Sequence, residues 1–367
     1  YNVILITVKN KFIFPVNISI IDEIPIQFQK RNFIIKGKLQ SNIETTFSYT
    51  LRPTERGEYI FGSINIYISS PLQLLTRRFN FDSNKTVAVY PSIIQMKEYD
   101  FYAISNQLQD IGIKKIRRIG ASFEFEQIRN YNTGDDIRKI NWKATARRNE
   151  LMVNHFQEEK SQHIYSAIDI GRVMKMPFEE MSLLDYAVNT SLVMSNTALR
   201  RQDKAGIITY SDNLHSFLPA KGKYTQLQDI LETLYNVNTN YSESDLEILY
   251  IHIMKKIKQR SLIMLYTNFE TISALKRNLN YLIMLAKKHI VVAIFFKNTE
   301  LKNFLHLKTK STKDIYHKAV AEKFAYEKKL IVKELSMHNI HSILTSPENL
   351  NVNAINKYLE LKARGLV

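Results

Sequence analysis

The sequence predicts two consecutive domains of different class, an all-β antiparallel sandwich followed by an α/β domain on a largely parallel sheet. Three observations carry this. From Tyr1 to Tyr99 short apolar strands follow one another with turn residues at close spacing and no competing helical stripe. From about residue 159 onward, strands alternate with helical segments of about 10 to 20 residues, the rhythm of a parallel sheet covered on both faces. With 367 residues and 45% hydrophobic content, the chain exceeds one ordinary core and is too apolar for a disordered one. The expected limits are 1–99 for the sandwich, 100–158 for a connector and 159–367 for the α/β domain.

In order, strands are expected at Val3–Val8, Val16–Ile21, Phe33–Leu39, Thr45–Leu51, Gly57–Phe61, Ser63–Ile68 and Thr86–Tyr90, with period-two alternation clearest in Asn65-Ile66-Tyr67-Ile68 and Thr86-Val87-Ala88-Val89. Asp22 and Glu23 form a carboxylate pair that could serve acid–base chemistry, but beside Pro25 they read as a solvated turn at a strand end. Residues 98–120 form a charged connector with Leu108, Ile111 and Ile113 as weak apolar anchors. A strand over Glu150–Phe156 closes it. The α/β part then reads as strands at His163–Asp169, Ala205–Ser211, Leu214–Leu218, Ser261–Thr267, Ile290–Phe296 and His341–Leu344. Helices are expected at Phe178–Leu199, Tyr224–Val237, Glu243–Lys258, Ile272–Lys287, Asp314–Met337 and Pro347–Ala363.

The segment Phe123–Val153 is unlike the rest. Polar turn formers and charges surround Trp142, the chain's single tryptophan. Asn-Thr-Gly-Asp-Asp reads as a turn in which Gly134 is free to take positive φ and Asp135 or Asp136 caps a short helix beginning at Ile137. Asp135, Asp136, Arg129, Arg138 and Arg147 suit a structural ion-pair network, with Trp142 supplying buried area; a surface recognised by a partner is the competing reading. The ordered set Glu124-Phe125, Arg129-x-Tyr131, Gly134-Asp135-Asp136, Arg138-x-Ile140-x-Trp142-Lys143, Ala146-Arg147 and Leu151-Met152-Val153 resembles the signature of the bacterial family called domain of unknown function 58 (DUF58). The loops around Asp22 and Arg52–Gly57 are also similar to that family. The resemblance implies an immunoglobulin-like or fibronectin-like sandwich, then a doubly wound von Willebrand factor A-like domain. It also implies N-terminal membrane spans and a MoxR-type AAA+ ATPase as partner, with no established activity.

Composition narrows the chemistry. Net charge is +16, and two stretches, Lys114–Arg148 and Lys297–Lys333, contribute +6 each. Such surface attracts nucleic acid, anionic lipid or an acidic partner, or is simply solvated lysine. Absence of cysteine excludes disulfides, thiolate metal sites and a cysteine nucleophile. No apolar run is long enough to span a bilayer. The chain enters a strand pattern at Tyr1 without an initiator Met, so a longer parent protein is expected, with spans preceding Tyr1.

In an open parallel sheet the ligand site lies at the carboxyl ends of the strands where strand order reverses. Asp169 stands there. The von Willebrand A motif that the resemblance brings ends its first strand in Asp-x-Ser-x-Ser, whose oxygens hold Mg²⁺ with a threonine and a second aspartate. Here the run is Asp169-Ile170-Gly171-Arg172-Val173: Gly171 and Val173 carry no hydroxyl, and Asn268 replaces the second aspartate. No metal or other cofactor is therefore expected, and Asp169 should cap a helix start or pair with Arg172 or Arg138. His338 and His341 have no metal-ligand spacing, and no phosphate loop, nucleophile elbow or zinc-protease motif occurs. The function expected is non-catalytic. It is a scaffold or adaptor at the cytoplasmic face of the bacterial inner membrane, docking a protein partner, with electrostatic binding of nucleic acid or anionic lipid as the alternative.

Overall fold

The computed structural model describes residues 1–30, 32–70, 74–91, 124–132, 137, 140–157, 161–178, 181–297 and 312–366. The expected connector over 98–120 lies outside them. The chain divides into two compact units, residues 1–91 with the short segment Leu234–Val237, and the remainder.

The first unit is strand after strand: β1 (Asn2–Lys9), β2 (Val16–Asp22), β3 (Ile35–Leu39), β4 (Glu44–Leu51), β5 (Gly57–Phe61), β6 (Ile64–Ser69), β7 (Thr76–Phe81) and β8 (Lys85–Val89). β1 pairs with β4, β5 with β8, and four strands order as β3-β2-β6-β7, all antiparallel. Inward residues of β1, β4, β2, β3 and β6, among them Ile6, Leu51, Ile18, Leu39 and Ile66, share one core. Strand β7 has no counterpart in the sequence reading. Its Thr-Arg-Arg-Phe-Asn-Phe run is almost wholly exposed at the sheet edge, so no apolar alternation marks it. Gly57 takes φ +128°, a conformation that the turn into β5 could not give a residue with a side chain without strain.

Asp22 departs from its expected place in solvent. It is 8% exposed and accepts a hydrogen bond from the Tyr49 hydroxyl, and burial raises its pKa despite that bond. Glu23 accepts from Ser63 N–H at 3.0 Å and Asn65 Nδ2 at 2.9 Å. The pair ties the end of β2 to β4 and β6, a structural role that a strand-end position beside proline does not reveal.

The second unit opens with β9 (Glu124–Asn130), α1 (Trp142–Arg148) and β10 (Met152–Gln157), with β9 and β10 antiparallel. It continues as β11 (His163–Asp169), a two-residue hairpin of β12 (Pro177–Phe178) and β13 (Met181–Ser182), α2 (Leu183–Arg200), β14 (Lys204–Tyr210), β15 (Leu214–Lys221), α3 (Gln226–Leu234) and α4 (Leu246–Lys256). Then come β16 (Leu262–Tyr266), α5 (Ile272–Lys288), β17 (Ile290–Phe296), α6 (Thr312–Met337), β18 (His341–Thr345) and α7 (Leu350–Ala363). Six strands form one sheet in the order β15-β14-β11-β16-β17-β18, parallel except for β15. Alternate side chains of the central strands, such as Tyr165, Ala167, Ile263, Leu265, Val291 and Ala293, pack with α4, α5 and α6. On the other face α2 packs on β11 and β14 and α7 on α2 and β18. Helix α2 starts at Leu183, later than expected, because Ser182 and Asp185 form a reciprocal capping box that fixes its first turn.

Candidate functional site

Strand order reverses at β11, so the carboxyl ends of β11 and β16 frame the crevice where a ligand would sit. Asp169 ends β11 and is 1% exposed. Its Oδ1 accepts from Gly171 N–H at 2.8 Å and from the Ser244 hydroxyl; its Oδ2 accepts from Thr267 Oγ1 at 2.6 Å. Both carboxylate oxygens are thus engaged inside the protein. Burial raises the Asp169 pKa, and the bonds from Ser244, Thr267 and Gly171 oppose it. Tyr210, opposite Asp169 in the parallel register, has its hydroxyl pushed far up by burial and by the Asp169 charge.

The expected pairing of Asp169 with Arg172 is not what forms: Arg172 is exposed, and hydroxyls and a backbone amide take the carboxylate instead. Burying a guanidinium in this crevice would cost far more desolvation than burying hydroxyls, which are neutral. Arg138 lies outside the described residues. Val173 is half-buried in the turn after Gly171.

Gly171 has a positive reason for being glycine. A Cβ there would lie 2.0 Å from Ser244 Oγ and 3.1 Å from Ser242 O, a backbone atom. The hydroxyl missing from position 171 is in effect delivered from the loop before α4. Gly171→Ser should therefore cost about 1–3 kcal/mol by overpacking, and much of that loss should return in the Gly171→Ser/Ser244→Gly double variant. Chemical denaturation of both variants checks this, with additive losses as the contrary result.

Across the crevice, Asn268 Oδ1 accepts from Lys328 Nζ of α6 at 2.7 Å, and the same ammonium donates to the Phe269 carbonyl. Burial lowers the Lys328 pKa to about 8, with Glu270 acting the other way. Where a second carboxylate would draw in a divalent cation, this edge places a neutral amide bonded to a cation. With both Asp169 oxygens occupied, these residues do not fit an octahedral Mg²⁺ site. Among the described residues no group of three His, Asp or Glu side chains could hold a metal ion.

Ser211 and His215 lie 2.8 Å apart beside Asp212, a grouping that invites comparison with a nucleophile and base. Ser211 is fully buried and its hydroxyl donates to Asp212 Oδ1 at 2.6 Å, so it offers solvent no nucleophile. That bond, with one from Ser242, holds the exposed Asp212 below the usual carboxylate pKa.

The signature stretch is organised differently from its expected form. Ile137 lies in a short 3₁₀ turn, with Ile140 N–H donating to the Ile137 carbonyl at 3.2 Å, and a separate helix begins at Trp142, where Asn141 is the cap: Asn141 Oδ1 accepts from Ala144 N–H at 3.0 Å. Thr145 Oγ1 accepts from Met152 N–H at 3.0 Å, and Tyr131 N–H donates to the Leu151 carbonyl at 2.8 Å. Met152 and Val153 are the buried anchors, at 1% and 3% exposure. Trp142, expected in the core, is 68% exposed, so that expectation is corrected. The reason is local: α1 has only two turns, and none of its residues is buried. Lys143 and Arg147 are exposed on the same short helix. Glu124 and Arg129 lie in β9, while Gly134, Asp135, Asp136 and Arg138 fall outside the described residues, and the ion-pair network drawn on them with these.

Residues 127–302 match the model of the family described as Protein of unknown function DUF58. The DUF58 match begins within β9 and takes in Trp142, Asp169, Gly171, Ser244 and Asn268; Lys328 lies beyond it. Among curated proteins, this chain is 29% identical over 138 residues to Uncharacterized protein YeaD of Bacillus subtilis (strain 168), covering 37% of this chain and 33% of YeaD. The chain thus matches about a third of the length of that relative. Solved structures similar to it include the conserved hypothetical protein BatB from Bacteroides thetaiotaomicron, at TM-score 0.35 and 12% identity over 56% of this chain and 100% of BatB. Another is an aerotolerance-related membrane protein from Bacteroides fragilis NCTC 9343, at TM-score 0.33 and 12% identity over 55% and 99% of the two chains. The SpRpn10 VWA domain matches at TM-score 0.33 and 12% identity, over 53% and 94%. Among the described residues no helix is long and apolar enough to cross a membrane.

Ser244 and Lys328 are the site residues that sequence reading missed. Thr267 was visible beside Asn268, but nothing in Ser242-Glu243-Ser244-Asp245 distinguishes it from any helix-capping loop.

Proposed function

We propose that this protein is a non-catalytic adaptor whose second unit, a doubly wound von Willebrand A-like domain, docks a protein partner without a bridging divalent ion. In this reading the first unit is an immunoglobulin-like sandwich and the 100–158 connector presents the signature. The observation that carries it is the exposure of Trp142, with Lys143 and Arg147 beside it, on a helix anchored from behind by Met152. Tryptophan and arginine are the side chains most often dominant in protein interfaces, and an exposed indole on a two-turn helix adds little to folding. The closed Asp169 network supports docking that needs no metal. A MoxR-type AAA+ ATPase is the partner that family resemblance suggests, at the cytoplasmic face of the bacterial inner membrane, reached through spans outside this sequence.

The test is binding of a purified MoxR-type ATPase from the same genome to the immobilised chain, in nucleotide-free buffer with EDTA. Binding should persist in EDTA and disappear in Trp142→Ala, while the variant's thermal unfolding matches wild type. Loss of binding in EDTA would contradict metal-free docking. Affinity for RNA or anionic vesicles that falls steeply with salt, with no ATPase binding, would instead favour an electrostatic role for the basic stretches.

A further inference from the structure

At the opposite end of the α/β sheet, where β16, β17 and β18 begin, lies a second cavity of about 600 Å³ that is remote from Asp169 in the fold. Arg260 enters from the turn before β16, His289 from the end of α5, His341 from the first position of β18 and Lys357 from α7. Ser342 adds a hydroxyl, and apolar side chains including Ile290 and Ile340 line the rest. We propose that this cavity binds a small organic anion, its phosphate group held by Arg260, Lys357 and the two imidazoles and its apolar body against Ile290 and Ile340.

The chemistry of the lining selects the charge. Among the described residues that line it there is no Asp or Glu. Lys357 Nζ lies 3.2 Å from Glu360 Oε2, but Glu360 is shared with Arg364 at 2.6 Å, so one carboxylate balances two cations there. Arg260 is exposed at the rim, and its planar fork suits phosphate oxygens.

His289 supplies an independent sign that something is accepted here. It is 2% exposed, and among the described residues neither ring nitrogen has a hydrogen-bond partner. A buried imidazole without partners is costly, and a ligand oxygen would relieve it by accepting its N–H. Burial and Lys288 push the His289 pKa down to about 4, and burial with Lys357 and Arg364 lowers that of His341, Glu360 acting the other way. Both rings are thus neutral donors near pH 7, compatible with an apolar wall in a way that two further cations would not be.

Size separates the ligand classes. A volume of about 600 Å³ falls in the range of small-molecule pockets and exceeds what a lone phosphate fills, whereas a membrane surface needs a convex or flat basic face. A soluble organic phosphate therefore fits this cavity better than a lipid headgroup in a bilayer.

Isothermal titration of the whole chain with inorganic phosphate and with adenosine 5′-monophosphate as probes, beside flotation on phosphatidylglycerol vesicles, makes that test. The expected result is saturable phosphate binding with a Kd of about 1 mM, tighter binding of the nucleotide, and no vesicle binding that free phosphate displaces. Arg260→Gln and His289→Phe should each weaken binding at least about tenfold. The control Lys255→Gln, an exposed charge on α4, should leave it unchanged. Arg260→Gln alters only an exposed side chain, so it carries the test even if His289→Phe fails to fold. No saturable binding of either probe, equal losses in Lys255→Gln and Arg260→Gln, or binding confined to vesicles would each overturn the site.

Discussion

Replacing Asp169 with alanine is expected to destabilise the protein by about 2–4 kcal/mol, although the substitution removes a charge from the interior. Three donors converge on this carboxylate: the Gly171 amide and the Ser244 and Thr267 hydroxyls. Alanine leaves them without their acceptor in a crevice that water reaches poorly. The hydroxyls can turn toward other acceptors but the amide cannot, which keeps the loss below three full unpaired bonds. Asp169→Asn should cost less, because it preserves an acceptor oxygen. The pH dependence has a definite sign. Burial raises the folded-state pKa of Asp169 above its ordinary value of 3.8, so its contribution is complete below that pH and is lost as pH rises through the folded pKa. Wild type should therefore lose ground to Asp169→Asn as pH increases from about 3.8, as urea unfolding at a series of pH values would show.

Met152→Ala should cost about 2–5 kcal/mol, while Trp142→Ala should stay within about 0.5 kcal/mol of wild type. Met152 is 1% exposed and ties β10 to α1 through its amide bond to Thr145, so truncation leaves a cavity at the junction of β10 and α1. Trp142 has most of its surface in solvent, and its truncation removes little buried area. Parallel thermal and denaturant unfolding of both variants gives the comparison. A large loss in Trp142→Ala with little in Met152→Ala would return the tryptophan to a core role and remove the main support for partner docking.

The α/β rhythm was legible because β16 and β17 are continuous apolar runs and β11 is interrupted only by His163, Ser166 and Asp169, with amphipathic helices between them, the form that buried parallel strands take. Strand β7 was not legible, since an exposed edge strand buries too little to show a pattern. Trp142 misled because a lone tryptophan among charges was read as their packing partner, while the anchoring fell to the less conspicuous Met152 and Val153. At the candidate site, local sequence showed what was lost, the hydroxyls after Asp169 and the second aspartate. It could not show what replaced them, because Ser244 is 75 residues from Asp169 in sequence and Lys328 is 60 from Asn268. Gly171 illustrates the difference: as sequence it is a deleted ligand, and in the fold it is the space that Ser244 occupies.

A crystal of the chain soaked in Mn²⁺, with anomalous difference density calculated at the carboxyl edge of the sheet, tests the closed Asp169 network most directly. No peak is expected within coordination distance of Asp169, with Ser244 and Thr267 still bonded to its carboxylate. A well-occupied octahedral Mn²⁺ touching Asp169, with Ser244 swung away and Lys328 displaced from Asn268, would contradict it.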